Sequence, residues 1–220
     1  MATASATLRF WTGVRVSGLE HLPPGAAVIA ANHRSTLDIP LIAHAAALRP
    51  AGRRHVCFVA RASLAESRLL GWIMRHAGAV LIARGRPDRG ALRSIAAHLA
   101  AGDLVGIFPE GTRGASPDLQ PFQSGALYAA RRAAVPVVPC AIAGSREAWP
   151  PGRRFPIRRQ VAILFGPAID PADPDALLRV RTWVRGALAA CPEHPPLPPE
   201  PATDDPVQAT TAGDPAGHTE

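Results

Sequence analysis

Val28-Ile29-Ala30-Ala31-Asn32-His33-Arg34-Ser35-Thr36-Leu37-Asp38 passes from an uninterrupted apolar run into five polar residues and then into a helical pattern. Pro23-Pro24-Gly25 stands ahead of it, so residues 28–31 read as a buried strand and 37–48 as a helix. A strand feeding a helix is the repeating unit of an α/β sheet, in which ligands gather beyond the carboxyl ends of strands. Within this turn His33 stands five positions before Asp38. On a continuous helix that spacing would set the two side chains ~140° apart, but a turn at the helix start removes the objection. Asp38 would then accept a hydrogen bond from one ring nitrogen of His33, leaving the other to take a proton from a hydroxyl. No serine or cysteine here is an obvious nucleophile, so that hydroxyl belongs to the substrate. The spacing alone is weak, because His and Asp five apart recur by chance.

Leu104-Val105-Gly106-Ile107-Phe108 reads as another buried strand after the turn signal Gly102-Asp103, and Pro109-Glu110-Gly111-Thr112-Arg113 follows it. Gly111 permits close backbone approach, and the planar guanidinium of Arg113 suits a bidentate grip on phosphate. If Glu110 served structure alone, it would pair with Arg113. Val80-Leu81-Ile82 also reads as a strand, with Arg84 and Arg86 beyond its end. The three strand ends are expected to converge on one site.

These residues resemble the lysophospholipid acyltransferase family, which includes the 1-acylglycerol-3-phosphate O-acyltransferases. Asn32, His33 and Asp38 match its Asn-His-x4-Asp block, and Gly78-Ala79-Val80-Leu81-Ile82-Ala83-Arg84 matches its second, a glycine, an apolar run and an arginine. Phe108-Pro109-Glu110-Gly111-Thr112-Arg113 matches the third without substitution, and Val135-Pro136-Val137-Val138-Pro139 the fourth. The blocks follow the family order. The resemblance implies acyl transfer from an acyl-CoA or acyl-carrier-protein thioester to the free hydroxyl of a lysolipid, with lysophosphatidic acid the leading acceptor and phosphatidic acid the product. It makes His33 the base and Asp38 its orienting partner. Arg84, Glu110, Gly111, Thr112 and Arg113 would bind the acceptor, chiefly its phosphate, while Asn32, Gln123 and Pro139 are further donor or acceptor contacts. No cofactor or metal is implied besides the thioester co-substrate. The physical chemistry agrees: a thioester is already activated, so a base, an electrophilic site for the oxyanion and good positioning suffice.

One departure bears on the acceptor. Many relatives carry a lysine two positions before the glycine that corresponds to Gly125, where this chain has Gln123. That keeps other lysolipids, such as a lyso-ornithine lipid or lysophosphatidylglycerol, as alternative acceptors. Ser35 and Thr36 fill variable positions of the first block and are expected to cap the helix that follows.

All 24 basic residues are arginine, which reflects coding bias more than function. Their distribution says more. Residues 192–220 hold six acids and no arginine, so residues 1–191 carry 24 minus 11, or +13. Such a balance favours an anionic partner, either a phospholipid surface or nucleic acid. Arg53-Arg54, Arg131-Arg132 and Arg153-Arg154 with Arg158-Arg159 would rest on headgroups at ~1 kcal/mol each. A nucleic-acid module would use the same charge but has no need of His33, Asp38 and Glu110 at strand ends, so no nucleic acid is expected. A catalytically silent lipid binder is disfavoured too, since silence would permit loss of the first and third blocks.

No apolar run reaches the ~18 to 20 residues of a membrane span. Only 31 residues precede Asn32, so a hydrophobic anchor is expected to be absent or reduced to Leu8-Arg9-Phe10-Trp11. Cys57, Cys140 and Cys191 have wide, unpatterned spacings. The first two read as small core residues, with no zinc or disulfide framework, which points to a reducing compartment. The expectation is a cytoplasmic protein, peripheral at the inner face of the cell membrane.

Strands are also expected at 55–60, 137–141 and 161–165, and helices after the capping-box spacing Ser63-Leu64-Ala65-Glu66 and over 89–101, 125–134 and 174–190. Strands alternating with helices imply an α/β class: a single domain whose largely parallel mixed sheet is flanked by helices, spanning residues 1–191. Eight prolines and several acids over 192–220 imply a disordered tail.

Overall fold

The computed structural model describes residues 13–49, 55–61, 80–82, 89–113, 118–153 and 155–191. Its centre is β2 (Ala27–Ala31), buried along its whole length. Side chains alternate across a strand, so Ala27, Ile29 and Ala31 join one core while Val28 and Ala30 join a second on the opposite face. That is why the apolar run is continuous rather than alternating.

Among the described residues, seven strands form the sheet in the order β1-β7-β6-β2-β5-β3-β4. They are β1 (Gly13–Ser17), β2, β3 (Val56–Arg61), β4 (Val80–Ile82), β5 (Leu104–Ile107), β6 (Val137–Ala143) and β7 (Gln160–Phe165). Every pairing is parallel except β6 with β7. Helix α1 (Asp38–Ala47) covers one face, and α2 (Arg89–Ala100), α3 (Gly125–Ala133) and α5 (Ala176–Ala190) cover the other. Ala91, Ile95 and Leu99 of α2, like Ala176, Val180 and Val184 of α5, recur every four residues and are buried. Pro40 sits in the first turn of α1, where a missing N–H breaks no helical bond.

The mixed α/β class is the one expected, with two additions and some shifted ends. The sequence does not mark β1: among the described residues Gly-Val-Arg-Val-Ser is an edge strand paired with β7 alone, and no residue of it is fully buried. Nor does it mark the one-turn helix α4 (Ser145–Ala148). Between β6 and β7 this single turn replaces a crossover helix, so β7 returns antiparallel. β6 continues to Ala143, and β5 stops at Ile107, freeing Phe108. The expected helix after Ser63, the tail at 192–220, Arg84 and the segment 8–11 lie outside the described residues.

Pro139 lies within β6, a central strand. Its carbonyl accepts from the Gly166 amide at 2.9 Å, just past the end of β7, so its backbone groups face β7 rather than β2. The absent N–H therefore faces the end of the β7 ladder, where it costs the sheet little.

Candidate active site

β2 and β5 are parallel neighbours, so the turn after Ala31 and the loop after Ile107 emerge side by side. Asn32 holds the first in place. Its side-chain Nδ2 donates to the Ile142 carbonyl at 3.0 Å, and its Oδ1 accepts the Ile142 amide at 2.8 Å. Fully buried, this amide ties the turn to β6 across 110 residues. Its observed work is structural.

His33 and Asp38 meet across the turn, with Nδ1 and Oδ2 2.8 Å apart. The same carboxylate oxygen accepts the backbone amides of Arg34 at 2.7 Å and Ser35 at 2.8 Å. Three donors on one oxygen, in a side chain with no exposed surface, fix the carboxylate's position. Oδ1 of Asp38 has no hydrogen-bond partner among the described residues. The expected cap is not made. The N-cap residue of α1 is Leu37, with no side-chain cap bond. Ser35 Oγ accepts the Leu37 amide at 3.3 Å within the turn, and Thr36 Oγ1 accepts from Arg113 at 2.9 Å. Asp38 reaching backwards does the ordering that Ser35 or Thr36 was expected to do.

The second loop braces the first. Glu110 Oε1 accepts the His33 backbone amide at 2.8 Å, and Oε2 accepts the Gln120 amide at 3.1 Å. Glu110 does not pair with Arg113, as it would if it served structure through that arginine; both of its oxygens take backbone amides instead. With both oxygens engaged and only 5% of the residue exposed, Glu110 holds two loops together. Arg113 is exposed and joins the first loop through Thr36.

Phe108 stacks on the His33 ring, centroids 4.0 Å apart and planes 16° from parallel, and Phe58 lies 6.2 Å beyond. Gly106, opposite Phe58 in the β3–β5 ladder, makes room for this line of rings. A Cβ there would lie 2.5 Å from the Phe58 ring. Nothing in the sequence marks Phe58, Gly106 or the stacking role of Phe108, because ring contact between strands leaves no local pattern.

Gly111 adopts φ +68, and exposed Gln123 stands beside it, its Nε2 3.2 Å from where a Cβ would be. Gly111 thus supplies a left-handed turn and clearance for Gln123. Thr112 is exposed at the same rim, whereas Pro139 is buried in the sheet. β4, whose end precedes Arg84, is separated from β5 by β3, about 10 Å across two strand spacings. Of the three segments expected to converge, the two after β2 and β5 are in contact. Cys57 and Cys140 are fully buried. Burial pushes the Cys140 thiol pKa far up, and the charge of Asp38 adds to the shift, so Cys140 stays a neutral thiol and is no nucleophile for this site.

A histidine ring held against a fixed carboxylate, at the mouth of two parallel strands beside an exposed arginine, has the chemistry to take a proton from a hydroxyl near an anion. A family model described as Acyltransferase matches residues 13–143, the span that contains all of these groups. A 1-acyl-sn-glycerol-3-phosphate acyltransferase from Chlamydomonas reinhardtii is 34% identical over 163 residues, covering 72% of this chain and 47% of the relative. A probable 1-acyl-sn-glycerol-3-phosphate acyltransferase from Mycoplasma pneumoniae is 38% identical over 133 residues, covering 57% of this chain and 47% of that protein. The chain thus spans about half the length of these curated relatives. The crystal structure of the 1-acyl-sn-glycerophosphate (LPA) acyltransferase PlsC from Thermotoga maritima superposes with a TM-score of 0.67 at 26% identity, covering 86% of this chain and 75% of that one. Sequence match over more than half its length and fold together make the chain a member of the Acyltransferase family.

Proposed function

We propose that the protein transfers a fatty acyl group from an acyl-CoA or acyl-carrier-protein thioester to the free hydroxyl of a lysophospholipid, with 1-acylglycerol-3-phosphate the leading acceptor. The 2.8 Å contact of His33 Nδ1 with Asp38 Oδ2 carries the reading. With its proton on Nδ1 facing the carboxylate, the imidazole keeps a lone pair on Nε2. The acceptor hydroxyl gives its proton to Nε2 as its oxygen bonds to the thioester carbonyl carbon. The C–S bond then breaks, and the proton passes from His33 to the departing sulfur as a free thiol. Asp38 stabilises the imidazolium in between. A positioned base of this kind is worth ~10² to 10⁴ in rate.

In this reading Arg113, with Gly111 and Thr112 at its rim and Arg84 beyond β4, binds the acceptor phosphate. Glu110 and Asn32 keep the base in place. The names of the algal and bacterial relatives support the acceptor class. No helix among the described residues is long and apolar enough to cross a membrane. The +13 charge of residues 1–191 supports peripheral contact with an anionic membrane surface on its cytoplasmic side. Gln123, where many relatives carry a lysine, favours a second reading in which the acceptor is a lyso-ornithine lipid or lysophosphatidylglycerol.

The test is turnover by the purified full chain on these three lysolipids, each with both donor types, presented in anionic and neutral vesicles. The expected outcome is the highest kcat/KM with lysophosphatidic acid in anionic vesicles and phosphatidic acid as the product by mass. Preference for either other lysolipid would move the assignment to the second reading. Transfer to none of them would overturn both.

A further inference from the structure

At the opposite end of the sheet, where β3 and β5 begin, His55, His98 and Asp103 each present a ligand atom, and these atoms lie within 4.8 Å of one another. We propose that they form a binding site for a divalent first-row transition metal ion of the zinc type, which staples the start of β3 to the turn joining α2 and β5. This inference is independent of the acyl-transfer reading.

Main-chain bonds build the cluster. α2 ends in a left-handed turn with Gly102 at φ +86. There the Asp103 amide donates to the His98 carbonyl at 3.0 Å and the Gly102 amide to Leu99 at 3.1 Å. This pair of bonds is the Schellman pattern of a helix C-terminus, and it sets His98 and Asp103 side by side. The next residue, Leu104, donates its amide to the His55 carbonyl at 3.0 Å, bringing the third ligand alongside. The scaffold therefore stands without help from the three side chains.

The side-chain geometry goes beyond a hydrogen-bonded pair. Nδ1 of His98 is 2.8 Å from Asp103 Oδ2, and Nδ1 of His55 faces the same oxygen from 3.7 Å. The two imidazoles lie nearly parallel, 20° apart, with centroids separated by 5.8 Å. One hydrogen bond satisfies His98, but 3.7 Å is too long for a second. A tetrahedral ion with metal–ligand bonds of about 2.0 to 2.2 Å spaces its ligands about 3.3 Å apart, between the two observed separations. Imidazole and carboxylate together suit zinc, cobalt or nickel, and three protein ligands leave a position for water. The C-terminus of α2, where carbonyls concentrate negative charge, favours a cation at this spot. Each of the three residues retains some exposure, so an ion can enter from solvent. Cysteine patterning gave no hint of this site, because its ligands are two histidines 43 positions apart and an aspartate.

Cobalt(II) is the probe, added to the tag-free full chain and read by its visible ligand-field absorption and by equilibrium dialysis. The expected result is saturable binding of about one ion per chain, displaced by zinc and accompanied by a rise in Tm. His55→Ala, His98→Ala and Asp103→Asn should each weaken binding at least ~100-fold, since even residues that merely orient a ligand cost 10- to 100-fold. His55 is exposed, so its variant should fold even if changes at the helix end do not; circular dichroism checks each one. Full cobalt binding in folded His55→Ala and Asp103→Asn would overturn the proposal. So would binding that survives in all three variants and is lost in His33→Ala, or no saturable binding at all, which would leave a hydrogen-bonded cluster only.

Discussion

Two histidine–aspartate pairs in this chain share both spacing and contact distance. His33 with Asp38 and His98 with Asp103 are each five residues apart, and each joins Nδ1 to Oδ2 at 2.8 Å. Their surroundings separate them. Asp38 has no exposed side-chain surface, takes two further backbone amides on the bonded oxygen, and positions a ring that stacks on Phe108. Asp103 keeps 24% of its side chain exposed and faces a second histidine. The first pair closes a strand-to-helix turn at the mouth of the parallel strands, and the second closes a helix-to-strand turn at their foot. A His-x4-Asp spacing therefore measures what a tight turn permits; burial, extra donors and position in the sheet decide what the pair can do.

Changing the two carboxylates breaks that comparison most sharply. Asp38→Asn puts an amide NH₂ or a weaker acceptor where three donors converge, and acyl transfer should fall ~10² to 10⁴-fold. Asp103→Asn should leave the initial rate within about twofold at 25 °C, since its turn is closed by main-chain bonds. Steady-state kinetics with lysophosphatidic acid and an acyl-CoA read both, and equal losses would erase the distinction. Arg113 sharpens it from the substrate side. Arg113→Ala should cost about 10- to 100-fold in acceptor kcat/KM and spare the donor KM, because a charge-assisted bond to phosphate is worth ~1.5 to 3 kcal/mol. Arg113→Lys should recover part of the loss, keeping charge without the planar fork. A rise in donor KM with acceptor kinetics intact would assign the arginine to the donor's phosphates.

The smallest effects concern the glycines behind each pair. Gly106→Ala drives a methyl against the Phe58 ring, a contact of 2.5 Å, and overpacking of this sort costs about 1 to 3 kcal/mol. Gly102→Ala forces an L-residue to φ +86 at about 1 to 2 kcal/mol. Urea unfolding should show both losses, while only Gly106→Ala, which disturbs the rings leading to His33, should also slow transfer. Slowing by Gly102→Ala alone would link the foot of the sheet to the active site.

The parts of this design that were legible in the sequence are those written locally. The apolar run 28–31, the turn after it and the helix that follows all obey short-range rules, so β2, α1 and the meeting of His33 with Asp38 were anticipated. Much of what depends on distant pairing is not legible locally. β1 exposes every other residue and is a strand only because β7, more than 140 residues later, lies beside it. Glu110, expected to bind the acceptor, has its two oxygens on two backbone amides. Asn32, expected near a substrate, is bound at both ends of its amide to Ile142. His98 and Asp103 carry the same spacing as the first pair, but the sequence marks Asp103 only as part of the turn before β5, and nothing local brings His55 to it.

In the proposed reaction His33, and not the matching histidine at the other end of the sheet, takes the proton from the acceptor hydroxyl. Single-turnover acyl transfer to lysophosphatidic acid by His33→Ala and His98→Ala, run side by side with donor binding measured on each, tests it most directly. His33→Ala should lose ~10² to 10⁴-fold in transfer rate with donor affinity kept, and His98→Ala should stay within about twofold of the unmodified chain. A folded His33→Ala protein that keeps more than about half of the original rate would contradict it.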